Sequence, residues 1–440
     1  MSAAFTSSLA SDLAPGLLER FLRYVRIDTQ SARDRTASPS TPGQLELGRL
    51  LRDELRDAGL DSEHDENGYV MATLPATGDG PADAPGGPEP PVVGLIAHLD
   101  TSPEAPGAGV EPIVHRSYEG GVIRLPRAET KLDPARMPEL AEHVGHDLVT
   151  GSGDTLLGAD DKAGVAIIMS AVAHLVAHPE LPRPTLRVAF TPDEEIGEGA
   201  SLFDIERFGA RCAYTIDGSS LGELQDESFS AIEAIASVRG IEVHPGQATG
   251  KMVNALRVVA RIVAALPEER TPERTAEREG FIHPYELNAT TGWAELRAIL
   301  RDFDDDQLAE HVALVRRAAE EAVAAAPGAE LSLCFRRQYR NMRRYLERTP
   351  EVVAAAEAAM REEGIEPVRV PIRGGTDGSL LSEMGLPTPN IFTGGHEYHS
   401  AREWASLQEM AASAATVVRL AGVWARSEYA EGASPARAAG

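Results

Sequence analysis

The sequence predicts an α/β fold, a mixed or mostly parallel sheet covered by helices, with a smaller α+β domain of ferredoxin-like pattern inserted into it. Three observations carry this. Apolar runs of strand length recur and end each time in polar or charged residues; a long apolar helix separates two of them; and residues from about 230 to 340 change to a βαββαβ rhythm before the first pattern returns. The 440 residues allow about three domains at roughly 150 residues each. The pattern reduces these to two: 1–228 and 343–440 form the larger domain, and 229–342 the inserted one.

Taken in order, PGLLERFLRYVRI and QLELGRLLRDELRDAG place apolar residues at i, i+3 and i+4 and read as helices, the second stopping at Gly59. The Pro-, Gly- and Asp-rich stretch 77–91 reads as a flexible loop. PVVGLIA follows as a strand buried on both faces and delivers His98, Leu99 and Asp100. AGVAIIMSAVAHLVAH, from Ala163 to His178, is a helix that packs on the sheet. TLRVAF then ends in TPDEE, CAYTI in Asp217 and Gly218, and PNIF in TGGHEYH. Each run presents polar groups at a strand's carboxyl end, where open α/β sheets bind ligands. In the inserted domain AIEAIASVRGIEV, FIHPYELNATT, WAELRAILRDF and ELSLCFRRQY read as strands, and VNALRVVARIVAAL and QLAEHVALVRRAAEEAVAAA as helices. The small, polar tail from Ser427 reads as disordered.

Composition narrows the partners. Acidic residues outnumber basic ones by 68 to 42, a net charge of −26, so nucleic acid and anionic membrane surfaces are repelled by the average field. Two cysteines, Cys212 and Cys334, make neither a disulfide framework nor a zinc ribbon. The amino-terminal segment lacks the features of a signal peptide, and no stretch is apolar enough to span a membrane, which points to a soluble cytoplasmic protein. No phosphate-binding glycine pattern is present.

Five metal-type donors fall at strand ends or in the loop before a helix: His98, Asp160, Glu195, Asp217 and His399. Imidazole and carboxylate without thiolate suit zinc, manganese or cobalt, and two histidines with three carboxylates can hold two ions that share a bridging carboxylate. Any one of these motifs alone is an ordinary turn. Gathered carboxylates repel one another unless a cation neutralises them, so the cluster argues for metal. His98 and Asp100 are two apart and leave one face, so Asp100 is expected to accept from the outer ring nitrogen of His98. Glu194 and Glu195 are adjacent and diverge, so that one can bind metal while the other accepts a proton from the attacking water.

These residues lie in IAHLDTSP, TLLGADDKAGVA, FTPDEEIGEGA, IDGSSLGEL, PIRGGTDGSLLSEMGLPTPNIFTGG and YHSAREW, joined by EVHPGQATGKMVNA and ILRDFD. In their order along the chain, over nearly its whole length, they resemble the tripeptide aminopeptidases of the M20 family of dinuclear zinc peptidases. The resemblance implies a zinc-peptidase catalytic domain of the phosphorylase/hydrolase-like type and an inserted lid or dimerisation domain. It implies that His98, Asp160 and Asp217 hold one zinc and Asp160, Glu195 and His399 the other, with cobalt or manganese as substitutes. Asp160 then bridges, Asp161 is structural, Glu194 is the general base and acid, and Asp100 orients His98. In relatives that dimerise through the inserted domain, the histidine matching His244 reaches the partner's site; otherwise His244 is a turn residue before Pro245. Arg301 and Arg373 bind a substrate carboxylate or serve as structural ion-pair residues. His396 rivals His399 as a ligand, and the remaining histidines, His143 and His311 among them, read as surface or helix residues. A tripeptide is the implied substrate and a homodimer the implied assembly. A dipeptidase, deacylase or carboxypeptidase of the same family would share the metal site.

Overall fold

The structure, a computed structural model, describes residues 4–77 and 91–426, so the expected 77–91 loop, apart from its two ends, and the tail from Ser427 lie outside the described residues. PVVGLIA forms the strand Val93–His98, buried at every position because it lies inside an eight-stranded mixed sheet. It pairs in parallel with Leu186–Thr191 on one side and Cys212–Gly218 on the other, and the latter pairs in parallel with Asn390–Phe392. These are the four runs that the sequence marks as strands. Asp61–His64 and Val70–Leu74 add an antiparallel edge on one side, and Glu223–Gln225 and Val368–Arg369 extend the other. Asp61–His64, Glu223–Gln225 and Val368–Arg369 carry too few apolar residues to signal a strand, so the sequence reading passes over them.

Helix Ala159–Ala177 is buried along nearly its whole length, between the strands Val93–His98 and Cys212–Gly218 and the helices Ser8–Tyr24 and Leu407–Trp424. Contact on all sides explains why AGVAIIMSAVA is apolar all round instead of along one stripe. A second cluster, with Phe203, Phe208, Leu381 and Leu386, packs on Met71, Ile96, Ala189 and Ala213 of the same sheet. Helix Ser8–Tyr24 begins ahead of the expected Pro15 because Ser7 caps it, its Oγ accepting from the Ala10 N–H at 3.1 Å; Pro15 sits inside the helix. Helix Pro42–Asp57 stops where Gly59 takes a positive φ of 85°. A small antiparallel sheet, Gly395–His396, Trp404–Ser406, Leu148–Thr150 and Ile113–His115 in that order, closes over Tyr118, Leu132, Leu140 and Trp404. Its strands of two or three residues leave no periodicity to read.

The chain divides into two compact units. One comprises the chain to Asp226, Arg344–Val370 and the chain from Thr376; the other comprises Glu227–Arg343 with the short strap Pro371–Gly375. In the second unit Ser230–Arg239, Phe281–Ala289, Trp293–Asp302 and Glu330–Tyr339 form an antiparallel sheet in the spatial order second, third, first, fourth. Helices Ala255–Ala265 and Asp305–Ala324 pack on it around Val238, Val258, Ile262, Leu296 and Ala319, the βαββαβ arrangement of a ferredoxin-like sheet. The first strand ends at Arg239, short of the expected Val243. At Gly240 a side chain would put its Cβ 2.1 Å from the carbonyl oxygen of Val253, so the chain turns there. The strap is tied by Phe229 N–H to Ile372 O at 3.0 Å and Ile372 N–H to Glu227 O at 2.8 Å, which puts Arg373 with the inserted unit. Among the described residues, no helix is long and apolar enough to cross a membrane.

Gly164 is where the buried helix meets the sheet most closely: a Cβ there would lie 1.9 Å from the carbonyl oxygen of Ile216 and 2.4 Å from Asp161 Oδ1. Gly164→Ala is expected to destabilise the protein by about 2–3 kcal/mol in urea unfolding. Gly121→Ala, with nothing within 4 Å of the added Cβ, should change it by no more than about 0.5 kcal/mol.

Candidate active site

Three neighbouring parallel strands end together and carry His98, the turn Asp193-Glu194-Glu195, and Asp217. Asp160 enters from the start of the buried helix. There Gly158 has φ 82°, and Asp160 and Asp161 keep non-helical backbone angles before the regular helix begins. The ordinary N-terminal capping role is taken by a distant carboxylate. Glu403 accepts from the main-chain N–H of Leu157 at 2.7 Å, Gly158 at 2.8 Å and Asp160 at 3.0 Å. His399 arrives on the loop after Gly395–His396 with a left-handed φ of 57°, a costly conformation for a residue with a Cβ.

Within this frame Asp160 lies between two imidazoles. Its Oδ1 is 2.9 Å from His98 Nε2, and its Oδ2 is 3.2 Å from His399 Nε2. Asp217 Oδ1 is 3.7 Å from His98 Nε2, and Glu195 Oε2 is 3.0 Å from His399 Nε2. The outer nitrogens also face acceptors. His98 Nδ1 is 3.0 Å from the main-chain oxygen of Asp100 and 3.4 Å from its Oδ1; His399 Nδ1 is 3.3 Å from Glu104 Oε2. A neutral imidazole donates only once, so each ring satisfies both sides by taking a second proton or by directing its inner lone pair at a cation.

The acids sort by what they hold. Asp100, with no exposed surface, accepts the Glu194 N–H at 2.9 Å and the Glu195 N–H at 3.1 Å, and so fixes the turn that carries both glutamates. The nearer partner of His98 Nδ1 is therefore the Asp100 main-chain oxygen, because the strand ends at His98 and the carboxylate swings to the neighbouring turn. Asp161 accepts the N–H groups of His98 and Gly164, each at 3.1 Å. Asp193, at φ 59°, accepts from Ser40 N–H and Gln44 Nε2, each at 2.8 Å. Asp160, Glu195 and Asp217 instead face the histidines.

Crowding acids in a buried place makes their ionisation costly. Burial, followed by the charge of Asp160, pushes the Glu195 carboxyl up to about 8, and burial pushes Asp217 up to about 6. Burial raises Glu194 and Asp161 well above the ordinary carboxylate range. Burial acts against charge on His399, but hydrogen bonds to Asp160 and Glu195 carry it up to about 11. Burial also opposes charge on Asp160, and hydrogen bonds from His399 and His98 hold it low. Glu195 Oε1 is buried with no partner among the described residues, an orphan acceptor of the kind a metal satisfies. The donor set suits a pair of divalent ions sharing Asp160.

His98, Asp100, Asp160, Glu194, Glu195, Asp217 and His399 thus come together, and Asp161 lies beside them. His396, the rival of His399, points to Glu409 at 3.2 Å. His244, Arg301 and Arg373 belong to the inserted unit. There His244 is exposed and its Nδ1 accepts the Gly246 N–H at 3.2 Å. The terminal nitrogens of Arg373 donate to Thr275 O at 2.8 Å, Thr275 Oγ1 at 2.9 Å and Glu279 O at 3.0 Å. Arg301 makes one long bond of 3.5 Å to Arg373 O, and its Nε is buried without a partner among the described residues. Sequence reasoning missed Glu403 and Asp377. The second accepts from Thr191 Oγ1 at 2.6 Å, and burial pushes it up to about 7. Both lie in quoted motifs, but nothing in their spacing shows that they turn inward.

Residues 156–422 match the peptidase family M20/M25/M40. The chain is 46% identical over 407 residues to a peptidase T of Bacillus velezensis, covering 92% of this chain and 97% of that one. The chain belongs to the M20 peptidase family. It is also 44% identical over 411 residues to a peptidase T of Vibrio parahaemolyticus, covering 93% of this chain and 98% of that one. Among solved structures, it shares its fold with an aminopeptidase from Bacillus cereus, with a TM-score of 0.69, 23% identity, and 94% of this chain and 99% of that one covered. A tripeptidase from Staphylococcus aureus gives a TM-score of 0.72 at 20% identity, over 94% of this chain and 98% of that one. The inserted ferredoxin-like unit is therefore part of an M20 peptidase architecture.

Glu403→Ala would leave three main-chain N–H groups, two of them fully buried, without their acceptor. It is expected to lower stability by about 3 kcal/mol or more, read as a lower urea midpoint with an unchanged slope.

Proposed function

We propose that this M20 peptidase is a tripeptide aminopeptidase. In this reading His98, Asp160 and Asp217 hold one divalent ion, and Asp160, Glu195 and His399 a second. The observation that carries the metal assignment is Asp160, with one carboxylate oxygen toward each of two histidines whose outer nitrogens are already engaged. The substrate assignment rests on the similarity to peptidases T over 92–93% of the chain. Bound there, the ions would polarise the scissile carbonyl and ease deprotonation of the attacking water.

The chain's own residues supply the rest. Glu194 accepts the proton of the attacking water and returns it to the leaving amine. Its backbone is held by Asp100, which accepts the Glu194 N–H at 2.9 Å. Asp100 is a positioning residue for both Glu194 and His98, while Asp161 holds the backbone at His98 and Gly164 and Glu403 the backbone around Asp160. His244, Arg301 and Arg373 are the proposed substrate contacts of the inserted unit. Arg301 has the less committed guanidinium, since Arg373 already serves Thr275 and Glu279.

Zinc is the proposed metal, with cobalt or manganese as substitutes, because the donors are imidazole and carboxylate without thiolate. The proposed setting is the cytoplasm. The proposed assembly is a homodimer through the inserted unit, whose strand Glu330–Tyr339 lies at a sheet edge. The dipeptidase, deacylase and carboxypeptidase readings are not favoured, since the relatives at 44–46% identity are peptidases T.

Chelation is expected to abolish release of the first residue from an unblocked tripeptide, and zinc or cobalt to restore it. The N-acetylated tripeptide should not be cleaved; equal cleavage of both peptides would contradict an aminopeptidase. Glu194→Gln should lower kcat by about 1,000-fold or more with metal content unchanged, and retained turnover would remove Glu194 from its role.

A further inference from the structure

A second group of metal-type donors lies outside this centre. His143 follows the short helix Pro138–Glu142, His396 is on the strand Gly395–His396, and Glu409 is in the first turn of helix Leu407–Trp424. All three are buried, and each brings one donor atom to within 4.8 Å of the others. His143 Nε2 is 2.9 Å from Glu409 Oε1, and His396 Nε2 is 3.2 Å from Glu409 Oε2. This overturns the surface-or-helix reading of His143, which no sequence period relates to residues more than 250 positions later.

On its other side, His143 Nδ1 is 2.6 Å from the main-chain oxygen of Glu139. A carbonyl oxygen only accepts, so Nδ1 carries a proton. Nε2 then faces the carboxylate with a second proton or directs a lone pair at a cation. His98 and His399 show the same pattern, with the outer nitrogen on an acceptor and the inner one against a carboxylate. The rings are also set in place before anything binds. Trp404 stacks on His396 with centroids 4.0 Å apart and planes 15° apart, and meets His143 edge-on at 4.9 Å. Burial works against the Glu409 anion, but hydrogen bonds from His143 and His396 outweigh it and bring the carboxyl to about 2, leaving it ionised as a ligand must be.

We propose that His143, His396 and Glu409 form a third divalent-cation site, of the zinc type, separate from the centre around Asp160. Two imidazoles and one carboxylate are a zinc donor set that leaves one coordination position open. A cleft of about 170 Å³, lined by His396, Trp404, Glu139, Ser219 and Ser220, adjoins the cluster at His396 and has room for water. A cation here would tie helix Leu407–Trp424 and the His143 turn to a strand three residues before His399. The site would thereby brace the loop that carries His399.

The test is a count of zinc per chain by elemental analysis, after stripping the full-length protein, reloading it with zinc and desalting. Wild type is compared with His143→Gln, Glu409→Gln and His98→Gln, each first shown to keep the wild-type circular dichroism spectrum. Wild type is expected to hold one zinc more per chain than His143→Gln and Glu409→Gln. Equal zinc in wild type and His143→Gln overturns the proposal. Should Glu409→Gln fail to fold, His143→Gln decides alone, since glutamine can still donate to Glu139 O. His98→Gln separates this site from the dinuclear one. Zinc lost there, with none lost in His143→Gln, contradicts the third site alone. Zinc lost in His143→Gln, with none lost in His98→Gln, supports the third site and contradicts the dinuclear reading.

Discussion

The carboxylate of Asp160, held between His98 and His399 with one oxygen toward each, is the contact on which the rest of the site depends. It joins a strand end, a helix start and a loop from near the end of the chain, three segments that nothing local brings together. Glu195 and Asp217 add their carboxyls to the same small volume, where burial pushes both up. Such a cluster is stable only when positive charge enters it, and the two dications proposed to share Asp160 would supply that charge.

Much of the surrounding architecture consists of acids that are not themselves proposed ligands. Asp100, Asp161 and Glu403 spend their oxygens on main-chain N–H groups, and Asp193 on a main-chain N–H and a side-chain amide. Each fixes a stretch of backbone from which a site residue projects: the Glu194 turn, the end of the His98 strand, the start of the Asp160 helix. This division of labour explains why so many carboxylates gather at one end of the sheet. Those facing the histidines call for a cation; those facing the backbone accept oriented N–H groups, which offset only part of the cost of burial that raises Asp161 and Glu403.

The central strands were legible because each is a continuous apolar run, and the candidate site was legible because each run leads into residues with metal chemistry. His98 and Asp217 follow directly from that rule, Glu195 from the turn just beyond a strand, and Asp160 from its place at the start of the buried helix. The inserted unit's order of elements was legible for a related reason: its helices alternate with strands long enough to show a period. Glu403 was not, because a single acid in a loop carries no period, and its partners lie some 240 residues earlier. The small sheet under Trp404 was missed for its two- and three-residue strands, and with it the burial of His143. Assigning Arg373 to the inserted unit required the hydrogen bonds of the Pro371–Gly375 strap, which leave no mark in composition.

The most direct test of the shared carboxylate is anomalous X-ray diffraction at the zinc edge from crystals grown with zinc. Two peaks flanking Asp160 are expected, one bonded to His98 and Asp217, the other to His399 and Glu195. A single peak in the site, or two peaks with no common contact to Asp160, would contradict a shared carboxylate.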